Sequence, residues 1–180
     1  QGMPTVGAAM LGFHQWVDQV WAAGKPLTIL AHNGGVDVSF LDAAERAEAR
    51  RLTGWFERRF TDDVDAVLLH ERMEKPLLKL GPPEARALRD GRDALKPHLA
   101  MLPAPVPVRD WRAGGRLSQA DLLAAPHLSV LDYFGEIQWK SWPALKTWYS
   151  KLKSRPCFRP LLAERFVGVP PSAWYADLDF

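Results

Sequence analysis

Cys157 is the only thiol in the sequence, set between Pro156 and Phe158 with Arg155 and Arg159 close by. Helix starts and neighbouring cations lower a thiol pKa, so a nucleophile is one reading of this residue. On the buried start of a short helix it reads better as a small packing side chain. Five histidines, His14, His32, His70, His98 and His127, show no i, i+4 pair and no Cys or carboxylate at ligand spacing, so no metal site is expected. His127 lies in an apolar run and reads as a hydrogen-bonded core histidine rather than a general base. The sequence holds no Gly-x-x-x-x-Gly-Lys loop and no Gly-x-Gly-x-x-Gly run, and Asn33-Gly34-Gly35 reads as a hairpin turn, not a phosphate cradle. No residue is assigned a catalytic role.

Binding chemistry is better represented than catalysis. The last stretch, 172–180, carries Trp174, Tyr175, Leu178 and Phe180 interleaved with Asp177 and Asp179. Large apolar groups at a chain end either fold back on the body or wait for a partner, and the residues alone leave both readings open. Between Lys140 and Arg165 stand Lys140, Lys146, Lys151, Lys153, Arg155, Arg159 and Arg165 against the single anion Glu164. They follow apolar residues as the polar side of amphipathic helices, with no nucleic-acid motif, so a solvated face is the preferred reading and no nucleic-acid partner is expected. A protein partner with an acidic tail would also suit them.

The element that must position these groups is the stretch from Leu117 to Gly135. Ser118 and Asp121 form a capping-box pattern, and Leu117 and Leu122 are spaced as a hydrophobic staple. Leu128, Leu131 and Phe134 lie near helical spacing, and little of the circumference is polar, which marks a central, buried helix. Replacing Ser118 or Asp121 with Ala should cost about 1–2 kcal/mol or more. Pro126 predicts a kink near Leu122.

Around it the chain reads as mainly helical. Met10 to Ala23 has helical spacing, and Leu27–Ala31 and Val36–Phe40 are β-prone runs around the turn. Asp42 with Glu45 opens a helix that passes through Trp55, Phe56 and Phe60, with a polar stretch at Thr61-Asp62-Asp63 expected to bend it without ending it, since apolar Val64, Val67 and Leu68 follow. Pro76 is expected to disfavour further regular helix, and Gly81-Pro82-Pro83 to break the chain. Glu84 to about Leu102 reads as an antiparallel partner helix, weakened by Gly91 and kinked by Pro97. Pro103, Pro105 and Pro107 make a stiff connector. Leu145, Trp148, Tyr149 and Leu152 give a further helix stopped by Arg155-Pro156, and Phe158, Leu161, Leu162 and Phe166 a last short one.

Length and composition fit an ordinary globular chain. The 180 residues are 47% hydrophobic and 24% charged, with a net charge of +2. A single cysteine fits a reducing compartment, and no long apolar run or signal-peptide pattern occurs, so a cytoplasmic location without membrane insertion is expected. Gln1-Gly2 reads as a processing scar before Met3. Eight tryptophans predict apolar surface that pairs, hence a homodimer.

Gly114-Gly-Arg-Leu-Ser-Gln-Ala-Asp-Leu122, Trp142-Pro-Ala-Leu-Lys-Thr-Trp-Tyr149 and Lys153-Ser-Arg-Pro-Cys-Phe158, in this order, resemble the C-terminal half of a glutathione S-transferase. The resemblance implies an all-helical bundle over residues 42–168, preceded by a truncated or divergent segment 1–41 (helix plus β-hairpin) and followed by a tail 169–180. In that family a thioredoxin-like domain binds glutathione. Here Lys25-Pro26 and Val38-Ser39 compare only loosely with its cis-proline turn and its γ-glutamyl site, so glutathione is the alternative ligand and no cofactor is the primary expectation. His127-Leu-Ser-Val-Leu-Asp-Tyr133, Arg159-Pro-Leu-Leu-Ala163 and Tyr175-Ala-Asp-Leu-Asp-Phe180 resemble one subgroup, the transferase-like cell-division proteins of alphaproteobacteria that bind the GTPase FtsZ. That likeness implies FtsZ or another division protein as partner, with Trp174, Tyr175, Asp177, Asp179 and Phe180 as contact residues.

Overall fold

A computed structural model describes residues 42–102, 111–115, 117–166 and 168–178. The expected N-terminal helix and hairpin, and the proline connector, lie outside the described residues.

Asp42 opens the first of the described helices as expected. Its carboxylate accepts the N–H of Glu45 at 2.8 Å, while Glu45 accepts the N–H of Asp42 at 3.0 Å. From there one helical rod, α1, runs over residues 43–78. It is α-helical at Ala43–Trp55, Ala66–Leu69 and Lys75–Leu78, and widens to a π-helix at Phe56–Asp65 and His70–Glu74. The sequence explains the widening. Leu52, Phe56, Phe60, Val64 and Leu68 recur every fourth residue, and all are buried. At 3.6 residues per turn each four-residue step overshoots by about 40°, so a plain α-helix would carry this row around the rod. Hydrogen bonds to the fifth preceding residue enlarge the turn and keep the row on one side. Thr61 stabilises the wide turn by donating its hydroxyl to the Phe56 carbonyl at 2.9 Å. The polar stretch 61–63 therefore widens the helix without ending it. Pro76 does not stop it at once: it lies in the last stretch, Lys75–Leu78, inside the continuous rod, and the helix ends three residues later. The rod ends at Lys79, which adopts a left-handed conformation with φ 55°.

Helix α2, Ala85–Met101, returns against α1. Glu71 ties the two by accepting the backbone N–H of Glu84 at 2.6 Å and the ammonium of Lys75 at 2.8 Å. Gly91, which on helix propensity alone weakens α2, is where the helices approach: a Cβ there would lie 2.7 Å from Leu68 Cδ2. Helix α3, Gln119–Tyr133, is the buried centre, and it continues through Pro126 as α2 does through Pro97. Helix α4, Pro143–Lys153, and the short α5, Arg159–Ala163, follow among the described residues. Phe56, Phe60, Leu128, Leu131, Trp148, Tyr149 and Leu152 form one core.

Candidate partner-binding surface

Helix α3 is fixed at both ends. At its start Asp121 accepts the Ser118 N–H at 2.9 Å and the Ser118 hydroxyl at 2.7 Å, closing the expected capping box. Its other oxygen takes the Arg112 N–H at 2.8 Å and the Trp148 indole N–H at 2.9 Å. One carboxylate thus joins α3, the 111–115 loop and α4. Above it the Arg112 guanidinium lies 4.3 Å from the Trp148 ring, and burial lowers its pKa to about 10.

At the other end Gly135 has φ 70°, a conformation that favours glycine. Its N–H reaches the Asp132 carbonyl at 3.0 Å and the N–H of Glu136 reaches the Leu131 carbonyl at 2.9 Å, the bond pair of a Schellman cap. Carbonyls at a helix end need partners, and here the tail supplies more of them. Ser172 donates its N–H to the Tyr133 carbonyl and its hydroxyl to the Asp132 carbonyl, each at 2.7 Å. The Trp174 indole N–H reaches Asp132 Oδ1 at 3.0 Å, beside that of Trp139 at 2.7 Å. Lys153 approaches Asp132 Oδ2 and the Trp174 carbonyl at 3.4 Å each. Both partners of this ion pair are fully buried; burial raises the Asp132 pKa and lowers that of Lys153.

The tail residues separate into two kinds. Trp174 is 39% and Leu178 38% exposed, with Asp177 also on the surface. The Trp174 ring lies over Gly135, where a Cβ would sit 3.7 Å from it. Tyr175 corrects the sequence expectation of a contact residue: it is 3% exposed and faces the core. Its hydroxyl donates to the Leu161 carbonyl at 3.2 Å and lies 3.1 Å from Ser129 Oγ, and its ring meets Tyr133 edge-on. Burial pushes its pKa up to about 12. A phenol with two hydrogen-bond partners inside the core anchors the tail rather than meeting a partner. Asp179 and Phe180 lie outside the described residues.

The other candidates resolve as follows. Lys153 leaves the cationic face, since a buried aspartate demands it. His127 is a core histidine, with Nδ1 2.6 Å from Asp65 Oδ2 and its ring stacked 5.3 Å from Phe56. His98 meets Asp63 at 3.1 Å. Cys157 falls in the turn Pro156–Phe158. Among the described residues no group of three or more His, Cys, Asp or Glu could hold a metal ion. Sequence reasoning missed Asp132 and Lys153. The available signal was an aspartate inside an otherwise apolar central helix, which requires a buried donor.

Comparisons with known proteins extend this geometry. The glutathione S-transferase C-terminal domain matches residues 69–156. The "FtsZ-localized protein A" of Caulobacter vibrioides is 59% identical over 139 residues, covering 77% of this chain and 61% of that protein. The solved structure of FzlA from C. crescentus superposes with a TM-score of 0.76 at 54% identity, over 84% of this chain and 69% of that one. A glutathione S-transferase from Rhodospirillum rubrum F11 gives a TM-score of 0.73 at 44% identity, over 78% and 63%. The chain spans about three fifths of the length of the curated relative it matches.

Proposed function

The chain belongs to the glutathione S-transferase family, in the group that includes FzlA, and we propose that it acts by binding FtsZ filaments or another division protein rather than by turning over a thiol. The contact surface is the tail and the helical surface beside it, with Trp174 and Asp177 as contacts, joined by Asp179 and Phe180. In this reading the protein works in the cytoplasm at the division site, as a homodimer, without a required cofactor.

The observation that carries the proposal is the way Trp174 is held. Its indole is fixed by Asp132 and its ring rests on Gly135, yet more than a third of the residue remains open to solvent. A rigid aromatic with an open face loses little entropy when a partner covers it, which is the usual character of an interface anchor. The name of the Caulobacter relative supports FtsZ as the partner. Among the described residues no helix is long and apolar enough to cross a membrane.

Co-sedimentation with polymerised FtsZ tests this reading. The full chain should pellet with filaments, and Trp174→Ala should reduce the pelleted fraction; absence of pelleting by the full chain would refute it. Calorimetric titration with glutathione checks the alternative, and saturable binding with conjugating activity would restore the enzyme reading.

A further inference from the structure

Helix α2 and the segment after α3 enclose a groove of about 370 Å³, lined by Arg89, Arg92, Leu95 and Lys96 on one side and by Glu136 and Trp142 on the other. Its floor is rigid. Glu136 has a fully buried carboxylate gripped by Arg72 and by Arg92, the latter at 2.6 Å, so two guanidinium groups share one carboxylate. Lys96 leans on Asp93 at 2.7 Å. Arg89, one helical turn before Arg92 and Asp93, is exposed and has no carboxylate partner among the described residues. Leu95 and Leu99 supply an apolar wall opposite half-buried Trp142.

Glu136 directly follows Gly135, the residue over which Trp174 lies. We propose that this groove receives an acidic, amphipathic segment of the protein partner, with a carboxylate on Arg89 and an apolar side chain beside Trp142. The inference rests on the reading that the chain binds a protein partner. Charge complementarity selects the occupant: an exposed, unpaired guanidinium in the lining favours an anion, whereas the carboxylates of Asp93 and Glu136 in the same lining oppose a continuous polyanion such as nucleic acid.

The full chain, labelled with nitrogen-15, should be titrated with a short capped peptide alternating Asp with Leu and Phe. The Trp142 indole N–H signal should shift and saturate. The same peptide with Lys in place of Asp, and a single-stranded oligonucleotide, should leave it unmoved. Arg89→Glu, a surface change whose spectrum otherwise matches, should weaken the acidic peptide roughly tenfold or more. An unmoved Trp142 signal, equal binding by Arg89→Glu, or displacement by the oligonucleotide would each overturn the inference. In FtsZ co-sedimentation, Arg89→Glu should pellet less than the parent chain. Failure of the parent chain to pellet would count against the proposed function, while the peptide titration would still decide the groove.

Discussion

Trp174 donates its indole N–H to Asp132 Oδ1 at 3.0 Å, the same oxygen that receives Trp139 at 2.7 Å. Through this carboxylate the tail is continuous with the central helix, and Lys153 completes the arrangement from α4. Breaking a buried pair strands the remaining charge. Asp132→Asn should therefore lower the stability measured by chemical denaturation by about 3–5 kcal/mol. Exchange of amide hydrogens in 172–178 should accelerate at the same time. The double change Asp132→Leu with Lys153→Met removes both charges together and should lie closer to the parent protein in stability, although its tail remains loose because Trp174 has lost its acceptor.

Tyr175 gives the tail a measurable pH dependence. Its folded pKa of about 12 lies above the ordinary tyrosine value of 10.0, so the folded state retains a proton that the unfolded chain releases. The associated stability is present in full below pH 10 and declines as pH rises through the interval toward 12. Each pKa unit corresponds to about 1.4 kcal/mol, so by pH 11 the contribution should have fallen by about 1.4 kcal/mol. Tyr175→Phe lacks this group. Denaturation at pH 8, 10 and 11 should show the gap between the two proteins narrowing as pH rises; a constant gap would mean that the phenol is not buried as described.

Much of this architecture was legible in the chain. The capping boxes at Asp42 and Ser118 rely on neighbours three residues apart, and local spacing reveals them directly. Four-residue spacing from Leu52 to Leu68 also carried the information for a widened helix, though a reading by the 3.6-residue period alone expects a continuing helix with a bend rather than a wider turn. The inward turn of Tyr175 was not legible, because it depends on Ser129 and Leu161 arriving from two other helices. Lys153 was hidden for the same reason: its partner is 21 residues away, and on α4 alone it belongs to an ordinary cationic stripe. Such buried polar contacts are set by tertiary packing, for which sequence periodicity has no term.

Two helical glycines should respond oppositely to the same change. At Gly91 an added methyl would enter Leu68 on a tightly packed helix contact, at 2.7 Å from Cδ2. The gain in helix propensity, about 1 kcal/mol, is then exceeded by overpacking, and Gly91→Ala should lose about 1–2 kcal/mol net. At Gly54 the added Cβ meets only the mobile end of Arg58, at 3.3 Å. Gly54→Ala should gain about 0.5–1 kcal/mol. Thermal and urea unfolding of the two variants side by side checks the ordering, and a stabilised Gly91→Ala would show that α1 and α2 are not in close contact there.

Asp121 should prove more costly to remove than its capping partner. Ser118→Ala deletes one hydroxyl and the bond it donates, and should lose about 1–2 kcal/mol. Asp121→Ala leaves the N–H groups of Ser118, Arg112 and the Trp148 indole without their acceptor, all in a buried setting. Each orphaned donor costs about 1–3 kcal/mol, so the total should exceed the serine change severalfold and approach the whole stability of a domain this size. The Arg112 guanidinium would also lose the favourable charge of Asp121. Expression yield and urea midpoints of the two variants should rank Asp121→Ala far below Ser118→Ala. Near-equal midpoints would mean that the carboxylate caps α3 alone and does not join the 111–115 loop and α4 to it.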